Sequence, residues 1–259
     1  MVHTGAPRCQ RAIAAVAVAA ILLAAASVRA PTAAALGTSS LFDVARIVYD
    51  GGNYAPHPTA PRRLAWEIRK RTSVETRLEP SELRISDRRL FRHPFLYLSG
   101  DRAFPAWSDA DVLRLRRFLV LGGFMLVDDA EDGADGFDSS VRREIGRALP
   151  EERMQPIPSS HVFYRSFYVL GRPVGRREGP ADLLGIERDG RLLVVYSRHD
   201  LGGAWARDDF GNWERAVEPG GERQREQAFR LGVNAALYAL CLSYKDDAVH
   251  LRFLERLGK

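Results

Sequence analysis

"GGFMLVDDAEDGADGFDSS", residues 122–140, places two glycines, four apolar residues and two aspartates in succession, and then a loop rich in glycine and acid. The apolar run Phe124–Val127 is short and continuous, with the length and composition of a strand buried on both faces, and such strands belong to sheets covered by helices on either side. Alternation along the strand sends the side chains of Asp128 and Asp129 to opposite faces. Glu131, Asp132 and Asp135 read as solvated loop acids. Asp138 or Ser139 reads as the N-cap of a following helix, with Val141, Ile145 and Leu149 turned inward.

The pattern continues on both sides of this stretch. "FDVARIVYD" (42–50) and "PFLYLSG" (94–100) are two more apolar runs of strand length. Between them, "APRRLAWEIRKRT" carries Leu64 and Ile68 one turn apart, with Pro61 in the first turn. "SDADVLRLRRFLVLGG" offers Ser108 as N-cap with Asp111 three residues on, an inward face of Val112, Leu115 and Leu119, and Gly122 as the stop. Strand and helix alternate, which predicts a mainly parallel sheet with right-handed crossovers. Further on, "LLGIERDGRLLVVYS" predicts a hairpin turning at Asp189-Gly190. A last helix is expected over 222–242, with Ala228, Leu231, Ala235 and Tyr238 recurring at helical spacing and Cys241 packed as a small buried hydrophobe. One three-layer α/β domain over 36–259, with its core at 42–242, accounts for the chain.

The first 35 residues differ in character. Arg8 and Arg11 precede an uncharged Ala, Val, Ile and Leu run from Ala12 to Val28, and Ala33 and Ala35 follow with small-residue spacing, the order of a cleaved signal peptide. The same run, residues 12–28, is close to the length of a membrane anchor. Either reading places the chain outside the cytoplasm, as a periplasmic or secreted protein or one held at the inner membrane. Of the formal charge of +5 on 259 residues, three positive charges (Arg8, Arg11, Arg29) lie in this leader. The remainder is close to balance and has no block of basic residues with interleaved aromatics, so nucleic acid is not expected as a partner. Removing the leader leaves Cys241 as the single cysteine, which excludes an internal disulfide.

In a parallel sheet, ligands gather beyond the carboxyl ends of the strands. Those ends carry Asp50 and Asn53, then Ser99, Gly100 and Asp101, then Asp128 and Asp129, and finally Asp200. No glycine-rich phosphate loop follows any of them, and "YLSGD" lacks the G-x-S-x-G setting of a nucleophilic serine. The acids lack the spacing of a calcium loop, and no His or Cys spacing points to zinc, so neither metal nor cofactor is expected. His161, in "PSSHVFYRSFY", is the histidine a hydrolytic reading would use, oriented by Asp128 or Asp129 and activating water or a substrate hydroxyl.

Several separated motifs occur in one order: "ARIVYDGGNY", "FLYLSG", "LRRFLVLGGFMLVDD", "GFDSSVRREIGRALP", "SHVFYRSFY", "HDLGGAW" and "REQAFRLGVNAALYAL". In this the chain resembles domain of unknown function 4159, an uncharacterised bacterial family, over about residues 42–242. The resemblance implies a flavodoxin-like fold similar in outline to class I glutamine-amidotransferase-like domains, often exported or membrane-attached and sometimes joined to von Willebrand type A-like modules. It adds Trp205 to the residues expected to line the shared cleft. It also implies an absence, because true glutamine amidotransferases hold a cysteine nucleophile in the turn where this chain has Asp128 and Asp129. A carboxylate does not perform that chemistry, and glutaminase activity is not expected. The chain departs from the family pattern at Asp101, where a histidine often follows the glycine, and at "SSHV", which keeps only His161 of an Asp-His-Pro. The expected function is a binding or protein-interaction module for a small polar ligand or a partner's segment. The alternative is a hydrolase-like enzyme using Asp128, Asp129 and His161, with or without a metal's assistance.

Overall fold

Apolar runs without alternation bury themselves only if helices cover both faces of the sheet, and the side chains of two central strands are divided in that way. The computed structural model describes residues 41–133 and 136–257, the last sixteen by their backbone; the leader read over residues 1–35 lies outside the described residues. Strands β1 (Ala45–Ile47), β2 (Glu82–Leu83), β3 (Phe95–Gly100), β4 (Phe124–Asp129), β5 (Gln155–Pro156), β6 (Leu184–Arg188) and β7 (Arg191–Ser197) form one sheet in the order β2-β1-β3-β4-β7-β6-β5. β1 to β4 and β7 pair in parallel, whereas β6 runs antiparallel to both of its neighbours. The chain is thus an α/β protein with a mixed, mostly parallel sheet of seven strands.

Helices α1 (Ala60–Arg71), α2 (Asp109–Val120), α3 (Phe137–Ala148), α4 (Leu201–Trp205) and α5 (Gly221–Leu257) complete the layers. Phe95, Tyr97, Phe124 and Leu126 pack with Leu64 and Ile68 of α1, Trp205 of α4 and Phe229 of α5. Their neighbours Leu96, Leu98, Met125 and Val127 pack on the other face with Leu115 and Leu119 of α2 and Val141 and Ile145 of α3. The predicted helix signals hold at α2, where Ser108 Oγ accepts from Asp111 N (3.2 Å) and Gly122 (φ 114°) ends the helix in a left-handed conformation. They hold also at the hairpin, where Asp189 and Gly190 have φ of 53° and 76°, as the primed turn requires.

Three expectations are corrected. Gly136, not Asp138 or Ser139, occupies the N-cap of α3, and Asp138 sits in its first turn paired to Arg142 at 2.8 Å. The orphan amides are met instead by Glu131, whose carboxylate accepts from Gly136 N (2.7 Å) and Phe137 N (3.0 Å). Glu131 is therefore buried rather than solvated, while Asp132 is exposed as expected and Asp135 lies outside the described residues. Cys241 is exposed, because six residues past Ala235 lies about 120° round the helix from the buried stripe of Ala228, Leu231 and Ala235.

Candidate functional site

The connections set where a cleft opens. β1 leads through α1 to β2 on one side, and β3 leads through α2 to β4 on the other, with α1 and α2 on opposite faces. The direction in which strands are added across the sheet therefore reverses between the parallel strands β1 and β3, and the loops leaving them part there. A cleft of about 230 Å³ occupies this place, formed by His57 from the β1–α1 loop, Asp101 and Arg102 after β3, Asp132 after β4, Arg176 from the β5–β6 connection and Asp200 after β7.

Asp128 lies at the centre of the sheet, level with Ser99 on β3 and Ser197 on β7, and is fully buried. Its Oδ1 accepts from Leu201 N (2.7 Å), and its Oδ2 accepts from Gly202 N (2.7 Å) and Tyr97 Oη (2.7 Å). The carboxylate thus closes the amino end of α4, the "LGGAW" segment. Burial, aided by the nearby charge of Asp200, pushes its carboxyl up to about 6 although the three donors act the other way. Asp129 faces the other side of the sheet, as strand alternation predicts, and accepts from Tyr196 Oη (2.7 Å) and Glu131 N (2.9 Å). Burial raises its carboxyl as well.

Asp200 meets the cleft together with Asp101 and Asp132. It holds a left-handed conformation (φ 55°), uncommon for a residue with a side chain, and its Oδ1 accepts from Gly203 N at 3.0 Å. The same Oδ1 lies 2.8 Å from His57 Nε2, and Oδ2 pairs with Arg176 Nε. Burial works to raise this carboxyl, but His57 and Arg176 more than offset it and hold it below the usual range. His57 is buried, and its Nδ1 has no hydrogen-bond partner among the described residues. The arrangement can orient one imidazole with a fixed carboxylate, and it presents guanidinium groups beside carboxylates at the cleft mouth. Among the described residues no His, Cys, Asp and Glu cluster could hold a metal ion.

The residues expected at the site divide three ways. Asp101 and Asp200 line the cleft, and Asn53 holds Asp101 through an Nδ2 bond of 2.7 Å. Ser99 and Gly100 are buried beneath it, Ser99 Oγ donating to Tyr54 O at 3.1 Å, and Asp50 lies outside, paired through both oxygens with Arg84 at 2.8 Å. Trp205 does not line the cleft: it is fully buried between Tyr97 and Phe229, because α4 turns its last residue into the core.

His161 and Asp128 are not brought together. His161 Nδ1 accepts from Phe163 N (3.0 Å), and its ring packs on Tyr238, whose hydroxyl accepts from Leu192 N at the start of β7. Asp128 is level with the end of that strand, five residues and roughly 17 Å further on. His57, Tyr97 and Arg176 escaped the sequence reading. His57 carried a usable signal, since it lies in a loop leaving the carboxyl end of a strand; Arg176, in an irregular connection, carried none.

A mostly parallel α/β sheet with helices on both faces and a polar cleft at the reversal of strand order define the class of the domain as α/β with a mixed sheet. Within that class the chain belongs to the family described as "Domain of unknown function (DUF4159)", whose model matches residues 43–240. No curated protein matches the chain.

Proposed function

We propose that this chain is an exported, flavodoxin-like domain, distantly related to class I glutamine-amidotransferase-like domains, that serves as a non-catalytic binding or protein-interaction module through the cleft at the carboxyl ends of its strands. The observation that carries the reading is the state of Asp128. It is buried and takes three donors from the protein itself, which supports a structural role for the residue that, on the resemblance, replaces those enzymes' nucleophile. The charged groups beside it are held ready by internal pairs, which favours recognition of a polar ligand without a large reorganisation.

Affinity capture from the periplasm tests the reading. The native domain should recover a reproducible partner, Arg102→Ala should lose it, and Asp50→Ala, outside the cleft, should retain it. Equal recovery by Arg102→Ala would remove the cleft as the binding surface. Export rests on the Ala12–Val28 run, and cell fractionation tests it. No helix among the described residues is long and apolar enough to cross a membrane.

A second reading is favoured by one contact, the 2.8 Å approach of His57 Nε2 to Asp200. It makes His57 an acid–base group oriented by Asp200, in place of His161. Hydrolysis of a panel of small esters that His57→Gln abolishes would support it; equal rates in the two proteins would end it.

A further inference from the structure

A separate cavity of about 390 Å³ lies between the first turns of α1 and the loop from Arg207 to Trp213, walled by Arg62, Arg63, Trp66, Leu78, Arg207 and Asp209. Its cations are stacked on rings. The Arg63 guanidinium lies 4.0 Å from the centre of the Trp66 ring, and Arg207 lies 3.7 Å from that of Trp213, which Arg225 also approaches at 4.0 Å. Stacking fixes the plane of a guanidinium and leaves its edge to choose an acceptor.

Those edges are incompletely used. Arg63 pairs with Glu67 and Arg62 with Glu79, but Arg207 makes no ion pair among the described residues. Its Nη1 donates to Gly211 O at 3.1 Å, while its Nε, like the Nε of Arg63, is buried with no acceptor among the described residues. Unmatched buried donors are uncommon and costly. Asp208 does not answer them, since its carboxylate accepts from Phe210 N, Asn212 N and Asn212 Nδ2. Asp209, on the exposed side of the loop, pairs with no cation among the described residues. Beside the cations, Trp66 remains partly exposed and Leu78 supplies an apolar wall.

We propose that this cavity binds a small molecule carrying a carboxylate on a ring. Nη2 of Arg207, assisted by the Arg62 guanidinium, donates to the carboxylate, and Trp66 and Leu78 receive the ring. This does not depend on the cleft between β1 and β3.

The test is a titration of the full domain followed by the indole N–H signals of its tryptophans, with glucuronate (a sugar ring) and benzoate (a flat ring) as probes, and glucose and inorganic phosphate as arms lacking one of the two features. Glucuronate or benzoate should shift the Trp66 and Trp213 signals saturably and leave those of Trp107 and Trp205 in place. Arg207→Gln should weaken binding about tenfold. Arg62→Gln, an exposed position whose change leaves the fold intact, should weaken it to a smaller extent, and keeps the test decisive if Arg207→Gln fails to fold. Arg102→Ala should bind normally. Saturation by glucose or phosphate as tight as by the ring carboxylates, no saturable shift up to about 10 mM, or unchanged binding in both arginine variants would overturn the proposal.

Discussion

Asp128 experiences burial and hydrogen bonding as opposed forces. Because its folded carboxyl holds a proton more tightly than the ordinary value of 3.8 allows, with a midpoint near 6, its contribution to stability is complete below about 3.8 and fades as pH rises through 6. A carboxyl carbon NMR titration of the folded protein should show one buried aspartate changing near pH 6. Asp128→Asn should cost about 1–3 kcal/mol in denaturant unfolding at neutral pH, since either orientation of the amide leaves Leu201 N or Gly202 N without an acceptor. His199 acts in the opposite direction. Burial lowers its imidazole to about 4, although the 3.0 Å contact of its Nε2 with Pro180 O acts the other way. Its contribution is complete above the ordinary value of 6.5 and is lost as pH falls through 4. The stability difference between the native protein and His199→Gln should therefore be largest at neutral pH and shrink progressively between pH 6.5 and 4.

At the scale of elements, α4 shows how five residues can be held as a helix without length to support them. Asp128 and Asp200 meet the first amides, and the small residues let the backbone approach. A Cβ on Gly202 would lie 2.8 Å from Tyr97 Oη and 3.1 Å from Asp128 Oδ2, so Gly202→Ala should lower the melting temperature and also disturb the Asp128 titration. The amino end of α3 depends likewise on Glu131, and Glu131→Ala should cost about 1 kcal/mol of unfolding free energy by calorimetry. A solvated loop acid, as the sequence suggests for Glu131, would leave stability unchanged on that substitution. A cap supplied five residues upstream leaves no mark in local spacing, whereas Ser108, three residues before the amide it meets, was legible. The same reason separates β3, β4 and the Asp189-Gly190 hairpin, which were readable, from β2 and β5, whose two residues are too few to show a period.

For the whole molecule, the two-faced burial of β3 and β4 follows directly from runs such as "FMLV", and so does the placing of a cleft beyond their carboxyl ends. Leu126, 1% exposed within the face shared with α1 and α5, should cost roughly 2–5 kcal/mol when changed to Ala, measured by urea unfolding; a loss under about 0.5 kcal/mol would contradict its central place. The cleft's own membership was less accessible. Asp101 and Asp200 could be named from strand ends, but the partner of Asp200 is chosen by which loops meet in space, and His57 and Arg176 are 143 and 24 residues from it in the chain.

The sheet also ends abruptly. On one side lies β2, Glu82–Leu83, and on the other β5, Gln155–Pro156. An outer strand is where a foreign chain would add itself to the ladder, and its appeal grows with the number of free amides and carbonyls in a row. Two residues provide almost none, and the proline removes one donor outright. A seven-stranded sheet with a hydrophobic interior thus carries its own protection against stacking into fibrous aggregates, through margins kept short.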